Sequence, residues 1–268
     1  MRTVPLAARR RYYHAALRFA HLARRVIRRR VARGVRARLK ADASFVTDVD
    51  LAVERALRAA IGRVFPLHGI IGEEFPPTRV RAEFQWVLDP IDGTTSLKNG
   101  IPFYGTIIAL HHRGRPLVGV IDLPALDRCY SAAVGLGAWR DRRRLHLKDA
   151  PRRTLSREVI SVGDRSHFVQ CRAGRSFDRL MREHAYVRGY IDCIAHAFAA
   201  EGLIGAAVDY GVKLWDIAAT QVLIEEAGGR YVCAYRSRQS DPGLYGIICG
   251  KPTVVRWLKR LFDTKERR

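Results

Sequence analysis

Carboxylates are scarce in this chain of 268 residues: 26 Asp and Glu stand against 48 Lys and Arg, a formal net charge of +22. The shortage is local. Residues 1–40 contain fourteen basic residues and no acidic one, and the last nineteen contain seven basic against two acidic, so the body from Ala41 to Cys249 is close to balance. The plainest reading of the two ends is an Arg-rich, solvated helix face. Contact with nucleic acid or an anionic membrane surface, and steering of anionic substrates, are the functional alternatives.

Cysteine pairs are also missing. Cys129, Cys171, Cys193, Cys233 and Cys249 are far apart, odd in number and never spaced as Cys-x-x-Cys. That excludes a disulfide-stapled scaffold and cysteine-bound zinc, and it fits reduced thiols in a cytoplasmic protein. No run reaches the roughly 20 apolar residues of a membrane span, and arginines interrupt any apolar signal core near the N-terminus. A soluble protein without membrane contact is expected. A mitochondrial presequence would also be basic and acid-poor. However, Tyr13, Leu17, Ala20, Leu22 and Val26 form a helical apolar stripe running into the body, which leaves only about eleven residues for a removable leader.

With 48% hydrophobic residues the chain can bury a full core. A second helix is expected from Asp48 or Asp50, carrying Leu51, Ala56, Leu57, Ala60, Ile61 and Val64, after a polar connection over Lys40 to Thr47. Strands are expected at Gly69–Ile71, Phe84–Leu88, Thr106–His111, Leu117–Leu123 and Arg128–Ala133. Later helices at about Gly174–His184, Cys193–Glu201, Asp216–Ala227 and Thr253–Phe262 alternate with strands near Val159, Ala206, Tyr231 and Ile247. The pattern is α/β, with helices layered on sheets. No repeat or low-complexity linker divides it. The expected organisation is a basic extension over residues 1–11, one domain over 12–262 and a charged tail over 263–268. Within the domain, Ser156 to Arg165 marks the junction between a metal-bearing half, to about 155, and a second half that completes the pocket.

The string Trp86-Val87-Leu88-Asp89-Pro90-Ile91-Asp92-Gly93-Thr94-Thr95 carries the chemistry. Asp89 closes an apolar strand, Pro90 is expected to stop it, and Asp92 follows three residues on, so both carboxylates can converge on a cation cluster. The N–H groups of Gly93 and Thr94 then open a helical turn suited to a phosphate. Glu73, in Gly72-Glu73-Glu74, follows a short strand; Asp216 begins a helix, where a simple capping role is the competing reading. Asp48 and Asp50 precede another helix and invite the same explanation. Glu73, Asp89, Asp92 and Asp216 form an all-oxygen set that favours magnesium over zinc. The nine histidines show no ligand spacing, and His111-His112 reads as a solvated turn.

The strings GEE (72–74), WVLDPIDGTTS (86–96) and WDIAATQVLIEEAGG (215–229), in this order, resemble the inositol-monophosphatase superfamily of magnesium-dependent phosphatases over roughly residues 12 to 262. Within it, Lys40-Ala41-Asp42, Phe45-Val46-Thr47, residues 100–106, Asp209 to Lys213 and Asp192-Cys193 look most like histidinol-phosphate phosphatases. One departure stands before Asp192, where Tyr190-Ile191 replaces the two glycines common in that branch.

The resemblance implies a layered αβαβα sandwich, usually dimeric, that hydrolyses a small phosphate monoester with two or three magnesium ions. It implies that Glu73, Asp89 and the Ile91 carbonyl hold one ion, and that Asp89, Asp92 and Asp216 hold another. Thr94, polarised by Asp50, would orient the attacking water. Gly93 and Thr94 would hold phosphate oxygens, and Asp192 and Asp209 the organic part, with structural hydrogen bonding the alternative for Asp192. The best substrate reading is histidinol phosphate, a step of histidine biosynthesis. Inositol monophosphatase, sugar bisphosphatase and nucleoside bisphosphatase activities are the nearest alternatives. A catalytically silent nucleic-acid-binding protein is the remote one.

Overall fold

The computed structural model describes residues 4–40, 44–237 and 243–263. Helix α1 (Leu6–Val31) leads, followed by β1 (Ala37–Leu39), β2 (Phe45–Thr47), α2 (Asp48–Val64), β3 (Gly69–Gly72), β4 (Phe84–Asp92) and the short α3 (Thr94–Lys98). Next come β5 (Gly105–His112), β6 (Arg115–Leu123), β7 (Arg128–Ala133), β8 (Gly137–Arg140) and β9 (Arg143–Arg144). After a 3-10 turn at Arg152–Arg157, the second half holds β10 (Ile160–Val162), α4 (Arg165–Gln170), α5 (Gly174–Glu183), β11 (Val187–Arg188) and α6 (Asp192–Glu201). It ends with β12 (Ala206–Val212), α7 (Leu214–Ile217), α8 (Thr220–Glu226), β13 (Arg230–Arg236), β14 (Tyr245–Gly250) and α9 (Pro252–Phe262).

Strands β3 to β9 form one seven-stranded sheet in chain order, parallel between β3 and β4 and antiparallel beyond. The second sheet runs β11-β10-β12-β14-β13 and is mixed, while β1 and β2 pair as a small ribbon. Alternation along β4 sets the layers: Trp86 and Leu88 point to a core shared with α1 and α2, whereas Val87 points to a core shared with α6, α8 and the second sheet. A third core packs α4, α5 and α9 on the far face of the second sheet through Phe168, Leu180, Val255 and Leu258. The result is the expected αβαβα sandwich.

Helix α1 packs through Ala15, Ala16, Phe19, Ala20, Ala23 and Ile27; of the expected stripe only Ala20 is fully buried, while Tyr13, Leu17, Leu22 and Val26 are half-buried beside it. Its alanines let the backbone lie close to the sheet. The helix begins at Leu6, so it includes residues expected in the basic extension, and Arg9 donates to the Val134 carbonyl at 2.6 Å. Ala41 and Asp42 of the Lys40-Ala41-Asp42 string, and residues 264–268 of the charged tail, lie outside the described residues.

Four local expectations need correction. Pro90 does not stop β4. The strand runs to Asp92 through a register shift against β5 between Asp89 and Asp92, and the Pro90 carbonyl accepts the Thr106 hydroxyl at 2.8 Å. The polar connection before α2 contains a strand, since Phe45–Thr47 pairs with Ala37–Leu39. The helix expected from Asp216 breaks at Ala218–Ala219, because that backbone is pressed onto β6: a Cβ on Gly119 would meet the Ala219 carbonyl oxygen at 2.8 Å. His111 is not solvated either; it is buried, with Nε2 at 3.1 Å from the Ala218 carbonyl, and only His112 reaches the partly exposed Glu83.

One ion pair ties α1 to the sheet. Arg24 donates to both oxygens of Asp122, with contacts of 3.0 Å and 2.6 Å, and Asp122 is fully buried. Burial pushes the Asp122 carboxyl up, and the guanidinium opposes that shift. Removing one partner of such a pair strands a buried charge, a loss of about 3–5 kcal/mol. Arg24→Met should therefore lower the urea midpoint substantially, and adding Asp122→Leu should recover most of it. A double variant no more stable than Arg24→Met would contradict this account.

Candidate active site

The site forms where the end of β4, the loop after β3 and the N-termini of α2, α6 and α7 meet. In a regular strand, residues three apart face opposite sides. The register shift around Pro90 removes that conflict, so Asp89 and Asp92 turn toward one space. Asp216 joins them from α7, and one carboxylate oxygen from each of the three lies within 4.8 Å of the others.

Backbone groups fix two of these carboxylates. The Cys193 N–H, at the start of α6, donates to Asp92 Oδ2, and the Lys213 N–H donates to Asp216 Oδ2 at 2.7 Å. Asp216 is thus the third residue of its helix reaching back to the cap, not the cap itself. Its other oxygen is left for the cluster. Asp89 is 1% exposed and its Oδ1 has no hydrogen-bond partner among the described residues.

Burial pushes Asp89 and Asp92 well above the usual carboxylate range. Glu73 adds to the shift at Asp89, and Asp192 adds to it at Asp92. Asp216 is raised to about 8, first by burial and then by Glu73 and Asp209. Two buried carboxylates and the half-buried Asp216, with one oxygen of Asp89 orphaned, fit a divalent cation. With no imidazole or thiolate in the trio, the donor set suits a hard ion.

Glu73 borders this trio but is held elsewhere. Lys40 Nζ lies 3.0 Å from Glu73 and 2.6 Å from Glu74, and although burial alone would lower its pKa, the two carboxylates raise it. Glu54, not singled out from sequence, anchors the loop. It is fully buried, accepts the Glu74 N–H at 2.8 Å and the Phe75 N–H at 3.3 Å, and pairs with Arg58 at 2.7 Å. Gly72 is bare for the same reason, since a Cβ there would come within 2.1 Å of Glu54 Oε1. The available signal was a glutamate next to Val53 and Leu57 on the apolar side of α2.

Asp50 has two tasks. It completes the α2 capping box by accepting the Thr47 N–H at 2.9 Å, and its Oδ1 accepts the Thr94 hydroxyl at 3.1 Å. Thr94 Oγ1 is also 2.9 Å from the Ile91 carbonyl, so its one proton has two acceptors to choose between. Gly93 sits between at φ +86, a left-handed turn in which a Cβ would strike the Phe103 carbonyl at 2.6 Å.

Asp192 and Asp209 adjoin the trio, Asp192 acting on Asp92 and Asp209 on Asp216. Asp192 takes φ +60, and a Cβ on Gly93 would lie 3.1 Å from its Oδ2. Burial and then Asp209 raise Asp192 to about 7. His196, one turn along α6, was also missed: it is buried, with Nδ1 at 3.2 Å from the Thr220 hydroxyl and Nε2 at 3.5 Å from Asp209, too long for a hydrogen bond.

The sequence profile described as "Inositol monophosphatase family" matches residues 9–263. The chain belongs to the inositol monophosphatase family. A histidinol-phosphatase of Chlorobaculum parvum is 35% identical over 85% of this chain and 87% of its own length. A fructose-1,6-bisphosphatase/inositol-1-monophosphatase of Aquifex aeolicus is 30% identical over 80% of each. The crystal structure of the extragenic suppressor protein suhB from Bartonella henselae superposes with a TM-score of 0.82 at 25% identity, covering 94% of this chain and 98% of that one. Enzymes of the inositol monophosphatase family are metal-dependent phosphoric monoester hydrolases, and this chain is one of them.

Because Glu54 fixes the loop that carries Glu73, Glu54→Gln should weaken divalent-cation binding several-fold in titration calorimetry. It should also cost about 1–3 kcal/mol of stability through the weakened charge-assisted hydrogen bonds. The exposed neighbour change Arg55→Gln should alter neither, and unchanged cation binding in Glu54→Gln would remove the anchoring role.

Proposed function

We propose that this phosphatase uses magnesium to hydrolyse histidinol phosphate to histidinol. The observation that carries the reading is the juxtaposition at Gly93 of a cation-seeking carboxylate trio with the adjoining Asp192–Asp209 pair. A phosphate seated at the turn would have its metal side met by the trio and its organic side by the pair. Carboxylates facing the organic part suit an amine and an imidazole better than a neutral polyol. The relative from Chlorobaculum parvum supports the same substrate, and the one from Aquifex aeolicus supports inositol or sugar phosphates as the second reading.

In this proposal Asp89, Asp92, Asp216, Glu73 and the Ile91 carbonyl would hold two magnesium ions, with Glu73 giving up its contact with Lys40 to do so. Bound magnesium would supply positive charge for the transferring phosphoryl group and acidify the attacking water. The Thr94 hydroxyl donates to Asp50, which leaves its lone pairs to accept a proton of that water and aim its oxygen at phosphorus. The water–phosphorus bond forms as the phosphorus–ester oxygen bond breaks; the water's proton passes through the Thr94 hydroxyl to Asp50, the departing alkoxide takes a proton from solvent water, and the N–H groups of Gly93 and Thr94 receive the phosphate oxygens. Asp192 and Asp209 pair with the leaving alcohol's cationic groups and fix its orientation.

Phosphate release from histidinol phosphate, inositol monophosphate, fructose bisphosphate and a nucleoside bisphosphate tests the substrate, with Asp92→Asn as the blank. A kcat/KM at least about tenfold higher for histidinol phosphate is expected, roughly the worth of one charged contact. Preference for another ester would hand the pocket to the second reading. Asp209→Ala should raise KM for histidinol phosphate much more than for inositol monophosphate.

The residue roles have their own test. Asp92→Asn and Asp216→Asn should each lose at least about a hundredfold in turnover while melting at or above the wild-type temperature without metal, because a like charge has been removed. Thr94→Ala should keep cation affinity and lose mainly kcat. Near-normal turnover in either asparagine variant would sink the metal assignment.

A further inference from the structure

We propose that the solvent face of α1 is a binding surface for the phosphate backbone of a nucleic-acid duplex. Arg11, His14, Arg18, His21, Arg25 and Arg29 are all exposed and follow one another at spacings of three or four, on the side of the helix opposite its buried stripe. At 1.5 Å per residue the row is about 27 Å long. A duplex of that length presents roughly sixteen phosphates.

The row is uncompensated inside the protein. Arg24, Arg28 and Arg30 meet the carboxylates of Asp122, Asp127 and Asp48. Among the described residues, Arg11, Arg18, Arg25 and Arg29 have no carboxylate partner. Helix α1 itself contains no acidic residue, and the acidic residues of α2, its neighbour in the outer layer, are buried or half-buried while Arg55 and Arg63 are exposed. Arg25 and Arg29 stand one turn apart, and Arg11, Arg18 and Arg25 follow at two-turn spacing with no acidic residue between them, so an external polyanion would relieve their repulsion. On the opposite outer layer, by contrast, Arg256 and Lys259 of α9 already have Asp149 at 3.5 Å and Asp263 at 3.4 Å.

The chemistry of the face selects the partner. It carries no exposed aromatic or large aliphatic side chain between Arg11 and Arg29, so nothing would anchor in a bilayer interface. Tyr12 and Tyr13 are half-buried and packed against the body, so no platform exists for stacking single-stranded bases. Helix α1 contains no Asn or Gln to pair with adenine edges. What remains is a straight rack of guanidinium and imidazole donors, suited to the backbone of a duplex without strong sequence preference.

The full chain should bind short mixed-sequence RNA and DNA duplexes in fluorescence anisotropy, with affinity falling steeply as salt rises. The triple change Arg18→Gln, Arg25→Gln, Arg29→Gln should weaken binding at least about tenfold and reduce the log–log salt slope by about 3, near 0.9 per lost phosphate contact. Lysine at the same three positions should keep most of the binding, and matched thermal melts verify the fold. Removing equal charge from α9 with Arg256→Gln, Lys259→Gln and Arg260→Gln should change binding by less than about twofold. An equal loss in both triple variants would reduce the effect to net charge and overturn the surface. No duplex binding near physiological salt, or stronger binding to phosphatidylglycerol vesicles than to duplex, would also overturn it.

Discussion

The mutual repulsion of Asp89, Asp92 and Asp216 is the constraint around which this molecule is arranged. Unit like charges at the 4.8 Å limit of the cluster repel by about 3.5 kcal/mol per pair at an effective dielectric of 20. Three such pairs would amount to about 10 kcal/mol if all were ionised, comparable with the whole stability of a typical domain, and the raised carboxyl pKa values express the resistance to that state. The protein answers with aimed N–H groups: Thr47 serves Asp50, Cys193 serves Asp92 and Lys213 serves Asp216. Asp89, the most deeply buried of the trio, receives none at Oδ1, so that oxygen is the one that a proton or a cation must satisfy.

The sandwich makes this arrangement durable because the carboxylates come from separate layers. Asp89 and Asp92 belong to the large sheet, the amide that holds Asp92 belongs to the middle helical layer, and Asp209 comes from the second sheet. Three irregularities of the backbone meet there: the register shift at Pro90, the left-handed Gly93 and the left-handed Asp192. Regular alternation along β4 would send Asp89 and Asp92 to different cores. The irregularity is therefore what converts a sheet edge into a site.

Much of this was legible in the sequence, for a physical reason. Helical spacing showed α2 but only half of its buried side: Val49, Val53, Leu57 and Ile61 are buried, whereas Leu51, Ala56 and Ala60 of the expected stripe are half-buried and Val64 is exposed, because the packing partner selects among neighbouring rows. The strings around Asp89 and Asp216 act mostly through their own neighbours. Glu54 was legible only as a glutamate on the apolar side of α2; its role was not, because only the fold brings the Glu74 and Phe75 N–H groups to it. His111 failed in the same way, since the middle layer that buries it comes from a segment 107 residues later. The break at Ala218–Ala219 depends on Gly119 across the sheet, and no local pattern within the helix announces it.

The separation between charge and site bears on what the surplus of arginine can do. Arg30 lies 3.4 Å from Asp48, which sets the C-terminal end of α1 beside the start of α2, where Asp50 serves the site. Arg11 is nineteen residues earlier, about 28 Å along the helix. That is more than three Debye lengths at physiological salt, where the length is about 8 Å. The far half of the row therefore adds almost nothing to the field drawing a phosphate ester toward the carboxylate trio. Steering would favour cations gathered at the mouth of the site, yet Arg11, His14 and Arg18 continue the row away from it at unbroken spacing. A surface for an extended anion accounts for that continuation, and attraction of a small substrate accounts only for its nearer end.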